Sequence, residues 1–301
     1  MSDAEQTKNR DGGEGIGGNP VMVLAFEGWN DAGDAASTAI EHLELLWDAT
    51  SLGEINPDDY YDFQVTRPTI HMVGGVTRRV EIPTTRFAVC RPPGFGRELL
   101  LVRGIEPNMR WGQFCDELVT QMREHNVGQV ITLGALLAET AHTRPVPVMG
   151  SAQDADAAKR YGLEASDYEG PTGIVGFLQD VCIKSGIPAV SFWAQVPHYV
   201  AQSPAPKATI ALLHRVEEIL DIEVSMAGLP EQAREWEQTV SEMTEEDEDI
   251  SEYVRSLEER GDAEQGLAET SGEVIAAEFE RYLRRRRGGP GGHGGLGGHV
   301  K

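Results

Sequence analysis

Apolar side chains run without a break from Val21 to Phe26 and stop at Glu27-Gly28-Trp29-Asn30-Asp31-Ala32-Gly33, a glycine-punctuated acidic turn. A run of that length without alternation predicts a strand buried on both faces, the kind found in parallel sheets. Further strands are predicted over 69–73, 76–82, 86–91, 99–103, 129–134 and 188–196. Helices are predicted over 34–47, 109–125, 172–185 and 205–221, with apolar residues at three- and four-residue spacing, as in Phe114, Leu118, Val119 and Met122. Strands separated by helices predict crossover units, hence an α/β fold with three α/β/α layers around a mostly parallel sheet. The block 69–91 has no helix between its strands and predicts antiparallel hairpins, with Gly74-Gly75 as a turn.

Past Asp221 the strand signals vanish and acidic helical stretches follow over 231–243, 248–261 and 271–285. The organisation expected is a tail over 1–19, an α/β core domain over 20–221, an acidic helical extension over 222–286 and a glycine-rich tail over 287–301. Both tails lack the apolar content needed to offset ordering entropy. The extension is either a solvent-facing helical cap or an arm packed on a neighbouring subunit. Trp236, Tyr253, Leu257, Phe279 and Tyr282 need burial in either case.

The 301 residues carry a net charge of −23, distributed as −2 over 1–19, −10 over 20–220, −16 over 221–283 and +5 over 284–301. A surface this acidic repels phosphate backbones, so nucleic acid is not expected as a partner. No apolar stretch is long enough to span a bilayer, and residues 1–19 lack the apolar core of a signal peptide. The expectation is a cytoplasmic protein. Cys90, Cys115 and Cys182 are odd in number and widely spaced, which fits neither a disulfide framework nor a zinc site. Each lies in an apolar pattern and reads as a buried structural thiol rather than a nucleophile.

Four loops concentrate polar chemistry. They hold Glu27, Trp29, Asn30 and Asp31; Thr140 to Pro145 with His142 and Arg144; Tyr168 to Gly173 with Glu169; and Pro197-His198-Tyr199. In a parallel sheet the first, second and fourth share the carboxyl edge of the strands, where α/β folds bind ligands. Glu27, Asn30, Asp31, His142, Arg144, Glu169, His198 and Tyr199 are therefore the candidate pocket residues. Each has a plainer reading. Glu27 and Asp31 suit a helix cap, the histidines suit satisfied loop positions, and Arg144 suits a structural pair with Glu27 or Asp31. The 170–173 loop could hold an anion at a helix N-terminus but lacks a P-loop lysine. No nucleophile elbow or His-Glu-x-x-His is present, and no cofactor or metal is expected.

The segments Phe26–Gly33, Gly134–Ala138, His142–Val148, Tyr168–Gly173, Trp193–Tyr199 and Ser203–Thr209 together resemble the proteasome assembly chaperone 2 family in its long actinobacterial form. The resemblance covers about residues 20–285. It implies a three-layer α/β/α core related in topology to nucleoside phosphorylases and peptidyl hydrolases, with added C-terminal helices. Eukaryotic members act as dimers that bind proteasome α-subunits, partly through a hydrophobic-Tyr-any-residue tail; this sequence ends His299-Val300-Lys301, without that tyrosine. Two functions follow as expectations. One is a non-enzymatic homo-oligomeric assembly protein, taken as a trimer, with a proteasome-related partner. The other is a small-molecule-binding protein or enzyme using the strand-end crevice.

Overall fold

A computed structural model describes residues 18–75, 77–152, 155–163, 169–200 and 203–263. Residues 1–17 of the expected N-terminal tail, the expected helix over 271–285, the glycine-rich tail over 287–301, and Tyr168 lie outside those residues. In chain order the elements are β1 (Val21–Glu27), α1 (Ala35–Leu46), β2 (Thr50–Glu54), β3 (Thr69–Val73), β4 (Thr77–Glu81), β5 (Arg86–Cys90), β6 (Leu99–Ile105), α2 (Trp111–Glu124) and β7 (Gln129–Ala138). There follow β8 (Val148–Ala152), α3 (Ala155–Arg160), α4 (Ile174–Lys184), β9 (Ala189–Pro197), α5 (Pro206–Leu220) and α6 (Leu229–Glu245). A last helix, α7, runs over 248–263.

Seven strands form one sheet in the order β2-β5-β6-β1-β7-β9-β8. Its centre, β6-β1-β7-β9, is parallel, and β5, β2 and β8 join antiparallel at the two sides. The unbroken apolar run of β1 has its reason here. Val21, Val23 and Ala25 face one core with α1 and α5, while Met22, Leu24 and Phe26 face the other with α2 and α4. All six are fully buried. At roughly 1.5–3 kcal/mol for each large apolar side chain removed from water, this strand anchors both layers. The fold is thus the expected α/β class, with a mixed sheet that is parallel where it matters for the strand-end edge.

The 69–91 block divides. β3 and β4 form a two-stranded hairpin, and Gly74 and Gly75 take positive φ of 62° and 76°, as the tight turn requires. β5 leaves that hairpin and inserts between β2 and β6 of the main sheet. Phe87 and Ala88 are buried there, so packing, not hairpin proximity, decides its partner. β2 and β8 had no apolar signature: β2 is exposed at every position, and the sheet's backbone ladder holds it.

The helices past Asp221 pack back on the core. α6 runs along α5, and Leu229, Ala233, Val240, Val254 and Leu257 are buried. These five apolar side chains are covered by the chain itself.

Candidate functional site at the strand-end edge

Because β1, β6, β7 and β9 are parallel, the loops after Glu27, Ile105, Ala138 and Pro197 emerge on one edge of the sheet. The sequence-derived residues on β1, β7 and β9 loops therefore share an edge. They do not form one cluster. Two separate polar groups occupy it.

The first group surrounds the turn after β1. Ala135 N–H donates to Asn30 O at 2.8 Å, and a parallel bridge joins Asp31 to Ala135, tying the turn to β7. The Asp31 carboxylate accepts from Ala36 N–H at 2.6 Å and Ser37 N–H at 3.0 Å. It caps α1 across the intervening 3-10 turn, so its plainer reading is the one the geometry supports. Burial pushes its pKa up to about 6 against those hydrogen bonds. Glu27 is half-buried, and its carboxyl is raised chiefly by desolvation while the Arg103 charge opposes.

Asn30 is fully buried and donates through Nδ2 to Glu106 Oε1 at 2.8 Å. The same carboxylate oxygen accepts from Ile174 N–H at 2.8 Å. Glu106 therefore sits at the N-terminus of α4, with its charge on the positive end of the helix dipole. The anion position expected of the 170–173 loop is filled by the chain's own carboxylate. Gly173 is demanded by space: a Cβ there would lie 2.0 Å from Asn30 Oδ1. Glu106 escaped the sequence reading because β6 was expected to end at residue 103. As a carboxylate directly after a buried strand, it carried the same signal as Glu27.

The second group joins the β7 and β9 loops to α6 and α7. The Tyr199 hydroxyl accepts from His142 N–H at 2.9 Å and meets His142 Nδ1 at 2.8 Å. The other ring nitrogen, Nε2, lies 3.0 Å from Ser241 Oγ. The imidazole is buried, and desolvation holds its pKa below the ordinary value. Lys207 Nζ donates to His142 O and to Glu237 Oε2, both at 2.5 Å. The exposed His198 ring stacks edge-on against Tyr199 and Tyr253, and its Nδ1 lies 3.2 Å from Ala138 O.

Arg144 pairs structurally, with partners the sequence had not marked. Its Nε and Nη2 donate to the two Asp262 oxygens at 2.7 and 2.8 Å, and Nη1 lies 3.4 Å from Glu258 Oε1. Thr143 donates to Glu258 as well. Neither Glu27 nor Asp31 has a hydrogen bond or ion pair to Arg144, His142 or His198 among the described residues, so the expected carboxylate–cation constellation does not assemble. Extension residues took those places because α7 reaches back over the β7 loop. Glu169 is exposed on the segment leading into α4, apart from both groups. An open cleft of about 190 Å³ lies beside His142, Thr143, Thr244, Arg255 and Glu258. Among the described residues no three His, Cys, Asp or Glu converge as metal ligands, and no helix is long and apolar enough to cross a membrane.

A mixed sheet with a parallel centre, two helical layers and a strand-end edge closed by the chain's own C-terminal helices defines an α/β protein whose edge is a protein surface with a shallow cleft. The family model described as PAC2 family matches residues 25–244, and the chain belongs to that family. It is similar to a PAC2 family protein from Streptomyces avermitilis, at 53% identity and a TM-score of 0.74 over 78% of this chain and 100% of that one. It is also similar to a Mycobacterium tuberculosis proteasome-assembly chaperone homologue, at 56% identity and a TM-score of 0.72 over 78% and 99%. A protein of unknown function from Corynebacterium glutamicum is 26% identical with a TM-score of 0.76, over 87% and 96%. No curated protein matches the chain.

Proposed function

We propose that this chain is a cytoplasmic, homo-oligomeric assembly chaperone that binds a proteasome-related partner by surface contact. The observation that carries the reading is what the chain does with its strand-end edge. His142 and Arg144, the groups there best suited to chemistry, are engaged by Tyr199, Ser241, Glu258 and Asp262. Asp31 and Glu106 are engaged as helix caps. Side chains tied into structural contacts build a rigid surface, and a rigid surface suits recognition of a protein. The similarity to the Mycobacterium tuberculosis homologue supports the choice of partner.

The test is assembly of proteasome rings from purified α- and β-subunits of the source organism, followed on native gels with and without this protein. Faster ring formation, with the protein bound to a subunit intermediate, is the expected result. Unchanged assembly kinetics together with no binding to either subunit overturns the reading.

A further inference from the structure

The β3–β4 hairpin is amphipathic and stands away from both cores. Its register pairs Ile70 with Val80 and Met72 with Arg78, so these four share one face, which Ile82 extends. That face is open to solvent: Ile70 is 59% exposed, Met72 55%, Val80 56% and Ile82 44%. A two-stranded hairpin without a third strand or a covering helix is marginal in water, and a contiguous apolar face on it marks a contact surface.

Its charge is opposite to that of the protein as a whole. Residues 67–81 hold three arginines and one glutamate, a net +2 in a protein of net −23. Arg67, Arg78 and Arg79 are exposed and form no ion pair among the described residues. The complementary surface is the elbow between α6 and α7. Residues 242–252 contain seven carboxylates and no base, and Met243 and Ile250 are exposed among them at 44% and 37%.

We infer that the hairpin of one copy docks on the 242–252 elbow of a second copy, apolar face on Met243 and Ile250, with Arg78 of that face on the surrounding carboxylates. This rests on the homo-oligomer part of the proposed function and names its interface. Copies of so acidic a chain repel one another unless the contact brings opposite charges together, and these two segments do so. Hairpin and elbow are different surfaces, so the contact is head-to-tail.

The test is light scattering on the full chain and three variants at micromolar concentration. The wild type is expected at a multiple of 32.9 kDa, with its mass falling at high salt. Arg78→Glu/Arg79→Glu is expected to raise the dissociation constant at least tenfold, and Ile70→Ser/Val80→Ser likewise, each with an unchanged unfolding midpoint of the monomer. Arg78→Glu/Arg79→Glu combined with Glu246→Lys/Asp249→Lys in one chain is expected to restore assembly. A wild type of monomeric mass overturns the homo-oligomer reading and the interface with it. A wild-type oligomer that both hairpin variants leave intact overturns the interface alone. Loss of proteasome-subunit binding in hairpin variants that remain assembled also overturns it, and gives the face to the partner.

Discussion

The hydroxyl of Tyr199 grips His142 twice, at the backbone N–H and at ring Nδ1, and so locks the β7 loop to the end of β9. The far ring nitrogen then reaches Ser241 on α6, which makes one neutral imidazole the pin between core and extension.

That pin is sensitive to pH. The folded-state pKa of His142 is lowered by burial, with the Lys207 charge adding to it and Glu237 and Glu258 opposing. The unfolded chain therefore takes up the proton first, and stability falls as pH drops below the ordinary value of 6.5. Asp31 has the opposite sign in a lower window: its pKa is raised from 3.8 to about 6, so its share of stability is lost as pH rises through that range. Urea unfolding of wild type and His142→Gln between about pH 7.5 and about pH 5.5 should show a decline in the wild type that is reduced in the variant.

Removing Glu106 strips two donors at once. Glu106→Ala leaves the Asn30 amide and Ile174 N–H without their acceptor and is expected to cost about 2–3 kcal/mol in urea unfolding. Glu106→Gln keeps an acceptor oxygen but loses the charge at the α4 N-terminus, and should cost about 1 kcal/mol. Equal losses for both would show that the charge, and not the acceptor geometry alone, is what the position requires.

Asp31→Ala removes both hydrogen bonds to the first turn of α1. The expected loss is about 1–2 kcal/mol, with Asp31→Asn intermediate.

Arg144→Ala should loosen α7 and leave the sheet alone, since its partners Glu258 and Asp262 both lie on that helix. Hydrogen exchange is expected to speed up over 248–263 and to stay unchanged in β1 and β7.

Cys90, Cys115 and Cys182 are buried, and desolvation pushes each thiol up to about 12. A thiol-specific reagent should find no reactive cysteine at neutral pH in the native protein and three in strong denaturant.

The layers of this fold were legible in the sequence because burial on both faces leaves a direct trace. The Val21–Phe26 run, the Phe114–Met122 spacing and the Gly74-Gly75 turn each report local geometry that a side-chain pattern encodes. Even the shared edge of the β1, β7 and β9 loops followed from parallel connectivity alone. What the pattern does not encode is which polar group meets which. Arg144 finds Asp262 across 118 residues, and Glu106 finds Ile174 N–H across 68, because helix packing brings those segments together. A polar side chain has several acceptable partners, and only the packed backbone selects among them. The exposed strand β2 and the departure of β5 from its neighbouring hairpin belong to the same class. Backbone ladders and sheet closure decided them, and neither leaves a mark in the order of apolar and polar residues.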